Sequence, residues 1–217
     1  KKVAKYYNSP ESPIYNKSEI LYGLYFSKGA IIKYDECLLC EGYTDVISMF
    51  QSGIENVVSS SGTSLTREQI RLVKRYTKNL TILYDGDAAG IKASFRGIDL
   101  ILEEGLNVQV VLFPDGEDPD SFAKNHALSE IKEMISLKKQ DFISFKAGVL
   151  IDGSENDPIQ RSKLIREVVQ SVALIPDQIT RSVYVQEIAK KFEIDEKTIS
   201  NELIKLLRTR LTKEKQG

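Results

Sequence analysis

Short apolar runs recur through the middle of this chain, each followed by a polar turn and then by residues with helical spacing. Cys37-Leu38-Leu39-Cys40, Leu80-Thr81-Ile82-Leu83 and Asn107-Val108-Gln109-Val110-Val111-Leu112-Phe113 have the length and β-former content of buried strands. The pattern predicts strands at about 36–41, 56–60, 80–85 and 107–113, and helices at about 43–52, 66–78, 88–104 and 120–125. Gly53 and Gly105 each stand just past a helix, where a C-terminal cap favours glycine. Alternation of this kind implies an α/β unit, a parallel sheet with helices on both faces.

From about residue 127 the pattern is helical. Asp157-Pro158 fits an N-cap and first-turn pair for a helix to about Ile175, Pro176-Asp177 opens another to about Lys191, and Asp195 caps a third to about Leu207. The last two could be taken for a DNA-reading helix-turn-helix, but the plainer expectation is a bundle packed on the sheet unit. Asp152-Gly153-Ser154-Glu155-Asn156 reads as an exposed loop and Thr212–Gly217 as a fraying tail. There are no internal repeats and no low-complexity segments.

The 217 residues suffice for a sheet domain and a helical subdomain. The chain opens on Lys1-Lys2-Val3-Ala4-Lys5 and reads as a piece of a longer protein. No apolar run approaches the ~18 residues of a membrane-spanning helix, so no membrane partner is expected. Two cysteines exclude a disulfide framework. Cys37 and Cys40 are three apart in a strand and so face opposite ways, and with His126 the only histidine, no zinc site is expected. The net charge of −1 is unevenly spread. Residues 1–35 carry six basic against three acidic residues, residues 36–126 eight against fourteen, and residues 127–217 sixteen against fourteen. An acidic centre between basic flanks suits a divalent cation in the middle and phosphates at the margins. Arg67, Arg71, Lys74, Arg75 and Lys78 form one stripe on the helix at 66–78. Such a stripe is more often a solvated face than a phosphate contact.

Three acidic motifs stand at three strand ends. Asp85-Gly86-Asp87 follows the third strand, and alternation projects its two carboxylates together. Glu41 ends the first strand, with Asp45 one turn into the next helix, where it also suits the helix dipole. Asp118-Pro119-Asp120 follows the fourth strand, where Asp120 could serve as an N-cap. A parallel sheet gathers the carboxyl ends of its strands on one edge, and six carboxylates there call for divalent cations. Mg²⁺ or Mn²⁺, held by oxygen, fits better than a His/Cys metal.

Glu41-Gly42-Tyr43-Thr44-Asp45, Tyr84-Asp85-Gly86-Asp87-Ala88-Ala89-Gly90 and Asp118-Pro119-Asp120 resemble the TOPRIM domain of primases, topoisomerases and some nucleases. Tyr7-Asn8-Ser9-Pro10-Glu11, Lys17, Leu21-Tyr22-Gly23-Leu24-Tyr25 and Ser61-Gly62-Thr63-Ser64-Leu65-Thr66 resemble bacterial DnaG-type primases in particular. The likeness runs from residue 5 to about 125 and thins beyond. It implies a TOPRIM parallel-sheet domain at 36–126, a remnant of a basic N-terminal subdomain at 1–35 and a helical subdomain at 127–217. The implied activity is DNA-templated synthesis of RNA primers from ribonucleoside triphosphates, with two or more Mg²⁺ or Mn²⁺ ions. By resemblance, Glu41, Asp85 and Asp87 ligate metal directly, and Asp45, Asp118 and Asp120 complete the cluster. Lys5 and Lys17 match basic positions facing template or nucleotide, and Asn8 sits where phosphate is held. The implied partners are single-stranded DNA, the RNA primer and a replicative helicase, in the bacterial cytoplasm at the replication fork. The family's zinc domain and helicase-binding domain are expected to lie outside this chain. Another TOPRIM enzyme, or a non-catalytic TOPRIM module, is the rival; the Asn-Ser-Pro-Glu and Leu-Tyr-Gly segments and the full set of acids argue against both.

Overall fold

The computed structural model describes residue 12 and residues 16–61, 64–86, 88–151 and 157–214, without the side chains of 88–94, 150, 151, 213 and 214. Four strands lie where the apolar runs place them: β1 (Cys37–Cys40), β2 (Val57–Ser59), β3 (Asn79–Tyr84) and β4 (Asn107–Leu112). A two-residue β5 (Gln140–Asp141) completes a sheet of order β2-β1-β3-β4-β5. The first four strands are parallel and β5 runs antiparallel to β4. The sheet is thus parallel but for an antiparallel edge that the sequence reading did not foresee. Gln140-Asp141 carries no apolar run to announce it.

Strand alternation divides the side chains between two cores. Cys37, Leu39, Leu80, Ile82, Val108 and Val110 face one way; Leu38, Cys40, Leu83, Val111 and Phe113 face the other. The second face is covered by α2 (Tyr43–Gln51), α5 (Pro119–Asn125) and α6 (Leu128–Lys138), through Val46, Met49, Phe122, Ile131 and Ile135. The first is covered by α1 (Leu24–Tyr34), α3 (Arg67–Lys74) and α4 (Ala88–Glu103), through Ile31, Ile70, Val73, Ile98 and Ile101. The expectation of opposite-facing, buried cysteines holds, and burial pushes both thiols well above their ordinary pKa.

Beyond the sheet, α7 (Phe142–Ile151), α8 (Pro158–Val172), α9 (Gln178–Phe192) and α10 (Glu196–Glu214) extend the first core rather than build one of their own. Asp157 and Asp177 cap α8 and α9, as their positions predict. Lys146 of α7 is buried, with Nζ 2.8 Å from Asp99 Oδ1 on α4 and 2.5 Å from Ser171 Oγ on α8. Three helices thereby meet at one satisfied ammonium.

Three helices depart from the reading. The α10 helix runs to Glu214, past the expected end near Leu207 and into the segment read as a fraying tail. The α1 helix was not anticipated, because its apolar residues lie all round it and give no one-sided pattern. The α3 helix ends at Lys74, short of the expected 78, where Thr77 turns aside to donate to Asp35 Oδ1 at 2.7 Å. Among the described residues no helix is long and apolar enough to cross a membrane.

Candidate metal centre

The strand order reverses between β1 and β3: β2 follows β1 to one side, and β3 and β4 lie on the other. At such a point the connections leave in opposite directions and open a crevice at the carboxyl ends of the strands. Glu41 directly follows β1 and Asp85 directly follows β3, so the two acids flank this crevice. Glu41 is exposed and Asp85 half-buried. Asp87 lies outside the described residues, as do Lys5 and Asn8.

At Gly86 another stretch of backbone passes at close range. Its N–H donates to the Glu117 carbonyl at 3.1 Å, and a Cβ there would fall 2.2 Å from the Pro114 carbonyl oxygen. Glycine is required because the loop after β4 crosses the loop after β3 at backbone contact. That crossing ties the Asp85 turn to the Asp118 segment. It also brings in Glu117, whose Oε2 is the one buried side-chain oxygen or nitrogen without a hydrogen-bond partner among the described residues. Its sequence gave no sign of this.

The remaining acids sit where α2 meets α5. Asp45 is the third residue of α2, and its Oδ2 accepts from the Gly42 N–H at 2.9 Å. The helix terminus thus holds a carboxylate that is only 7% exposed. Asp118, not Asp120, is the N-cap of α5, with Oδ1 accepting from the Ser121 N–H at 2.7 Å and Pro119 at the first position. Asp120 stands inside the first turn of α5. Its Oδ1 accepts from the Ser48 hydroxyl on α2, and its Oδ2 pairs with Lys124 at 2.7 Å.

Mutual repulsion shows how close these groups lie. Burial pushes the Asp45 carboxyl up, the Gly42 hydrogen bond opposes this, and the fields of Asp118, Asp120 and Glu41 raise it further. Cys40 at the end of β1 is raised by burial first and then by Asp45, Asp85, Cys37 and Glu41. Five of the six acids therefore act on one small region at the sheet edge. Among the described residues, no three His, Cys, Asp or Glu groups close into a ready-made cation cage. The available donors are carboxylate oxygens, which suit a hard divalent cation and not zinc.

Lys17 opens a 3₁₀ turn (Lys17–Glu19) fastened to α3, where Gln69 Nε2 donates to the Lys17 carbonyl at 2.9 Å. The basic stripe of α3 is largely engaged within the protein. Arg67 pairs with Glu103, Arg71 meets both Glu104 carboxylate oxygens at 3.0 and 3.1 Å, and Lys74 donates to the Glu104 carbonyl. The partners are the last residue of α4, Glu103, and Glu104 just beyond it.

Residues 38–123 match a family described as Toprim-like, and residues 156–197 match the DnaB-helicase binding domain of primase. The chain is 36% identical over 205 residues to the DNA primase of Halalkalibacterium halodurans, an alignment covering 94% of this chain and 34% of that protein. Its fold superposes on a DNA primase domain from Pseudomonas aeruginosa with a TM-score of 0.80 and 28% identity, over 92% of this chain and 63% of that one. The chain belongs to the DnaG-type DNA primase family. A DnaG primase catalytic domain bound to single-stranded DNA gives a TM-score of 0.76 at 29% identity, covering 88% of this chain and 62% of that one. The chain spans about a third of the length of the curated relatives it matches. TOPRIM primases use divalent metal ions as a family. One expectation is corrected. Residues 156–197, over α8 and α9, match the helicase-binding domain, where the sequence reading expected no such segment in this chain. Amphipathic helix pairs that dock a partner and pairs that only pack carry the same sequence signal, so the residues alone did not separate them.

Proposed function

We propose that this chain forms the metal-binding part of a bacterial DNA primase core, which synthesises short RNA primers on single-stranded DNA from ribonucleoside triphosphates. The observation that carries the reading is the placement of Glu41 and Asp85 on either side of the strand-order reversal, with Asp45, Asp118 and Asp120 beside them. Glu41, Asp85 and Asp87 would hold Mg²⁺ or Mn²⁺ directly, two or more ions in all. Asp45, Asp118 and Asp120 would complete the cluster directly or through water. The bound ions would lower the pKa of the attacking 3′-hydroxyl and stabilise charge on the transferred phosphoryl group. Gly86 keeps the Asp85 turn locked to the Asp118 loop, so the acids from β3 and β4 hold one relative position. Residues 36–126 act as the TOPRIM domain, 127–217 as a helical subdomain and 1–35 as the end of a basic N-terminal subdomain. Lys5, Asn8 and Lys17 face template or nucleotide. The segment at 156–197 is the place for a replicative helicase to dock, at the cytoplasmic replication fork.

The test places Asp85→Asn and Glu41→Gln singly in a complete primase. Each should lower primer synthesis roughly a hundredfold or more, because removing a metal ligand deletes charge stabilisation without opening a core cavity. Circular dichroism should be unchanged. Near-normal primer synthesis by either variant would overturn the assignment.

A further inference from the structure

We propose that Ser48 is a positioning residue of the acidic cluster: its hydroxyl orients the Asp120 carboxylate and so sets the affinity of the site for a divalent cation. The inference rests on the metal-centre reading above.

Asp45 and Ser48 are three residues apart on α2 and share one helix face, and each is 7% exposed. That face meets α5. The Ser48 hydroxyl donates to Asp120 Oδ1 across the helix pair, while Lys124 reaches Oδ2 from one turn along α5 itself. The two donors differ in kind. Lys124 is a cation with a side chain 61% exposed, so it draws Asp120 along its own helix and competes with any metal for the same charge. Ser48 is neutral and buried, and it belongs to the helix that carries Asp45. It fixes the carboxylate beside Asp45 without neutralising it, which is what a ligand's supporting hydrogen bond does in metal sites generally. The two helices are held together separately by Val46, Met49, Phe122 and Ala123, so removing one hydroxyl leaves their packing in place.

The measurement is Mn²⁺ binding to this 217-residue chain, by calorimetry or electron paramagnetic resonance, in the unaltered protein, Ser48→Ala, Ser48→Thr, Lys124→Ala and Asp85→Asn. Ser48→Ala should weaken Mn²⁺ binding roughly tenfold with little change in metal-free melting temperature. Ser48→Thr, which keeps a hydroxyl, should restore it, and Lys124→Ala should shift affinity the other way. A purely structural serine would move the melting temperature and leave the affinity alone. If Asp85→Asn abolishes binding while Ser48→Ala binds as the unaltered chain does, the positioning role is overturned and the metal centre stands. If Asp85→Asn also binds normally, or the unaltered chain fails to bind millimolar Mn²⁺, the metal-centre reading falls and this inference with it.

Discussion

At Asp45 one carboxyl answers to burial, to a helix terminus and to three neighbouring acids. Burial and the fields of Asp118, Asp120 and Glu41 raise its pKa, against the pull of the Gly42 N–H. A carboxyl raised in the folded state binds protons that the unfolded chain has released. Stability from this group is therefore greatest in acid, declines as pH rises from about 4, the unfolded value, and is wholly lost above the raised folded value. In metal-free buffer at neutral pH, Asp45→Asn should melt higher than the unaltered chain, since the amide oxygen can keep the Gly42 bond and the charge is gone. Each ~1 kcal/mol of relief raises the melting temperature of a chain this size by about 2–4 °C. The difference should shrink toward zero below pH 4, and Mn²⁺ should narrow it by stabilising the unaltered chain, the tighter binder, more than the variant. A lower melting temperature for Asp45→Asn at neutral pH would contradict the repulsion. The acids themselves were legible in the sequence because strand ends are predictable and a parallel sheet collects them. Ser48, Glu117 and the loop that crosses Gly86 were not. Ser48 takes its meaning from Asp120, 72 residues away, and Gly86 from the carbonyl of Pro114.

At the scale of the element, Asp118 has two duties that substitution can separate. It caps α5 through the Ser121 N–H, and its charge belongs to the acidic cluster. Asp118→Asn keeps an oxygen for the cap and loses the charge, so Mn²⁺ affinity should fall while stability holds. Asp118→Ala loses both and should destabilise the chain by about 1 kcal/mol, the usual worth of an N-cap. Equilibrium urea unfolding of the two variants checks this, and equal destabilisation would show that Asp118 is not acting as the cap. Capping signals of this sort made α8 and α9 readable from Asp157 and Asp177. Where an element lacked such punctuation it was missed. The α1 helix has Tyr25 and Phe26 exposed on the side away from the buried Ile31, so no single stripe marks it. The β5 strand is fixed only by its partner, through Gln140 beside Val110 and Asp141 beside Gln109.

Across the whole molecule, charge decides how this chain meets nucleic acid. Residues 36–126 carry eight basic and fourteen acidic residues, so single-stranded DNA is repelled from the sheet unit unless cations line its path. The α3 stripe looked able to supply them, but Arg67, Arg71 and Lys74 are turned to Glu103 and Glu104, and Arg210 of α10 also pairs with Glu103. Cations already neutralised within the protein release few counterions from DNA, and affinity follows the number of phosphates neutralised. This chain by itself should therefore bind single-stranded DNA weakly, lose that binding as salt rises, and prime poorly even with Mn²⁺ present. Fluorescence anisotropy with a labelled oligonucleotide at low salt separates the two basic regions. Replacing Arg71 and Lys74 by Gln should change affinity by less than about twofold, because both are engaged by Glu104 just past α4. Replacing Lys5 and Lys17 by Ala should weaken binding severalfold, since on this reading they lie on the nucleic-acid path. Loss of binding on neutralising the stripe, with no effect at Lys5 and Lys17, would move the path to the α3 face and require Glu103 and Glu104 to release their partners when DNA arrives.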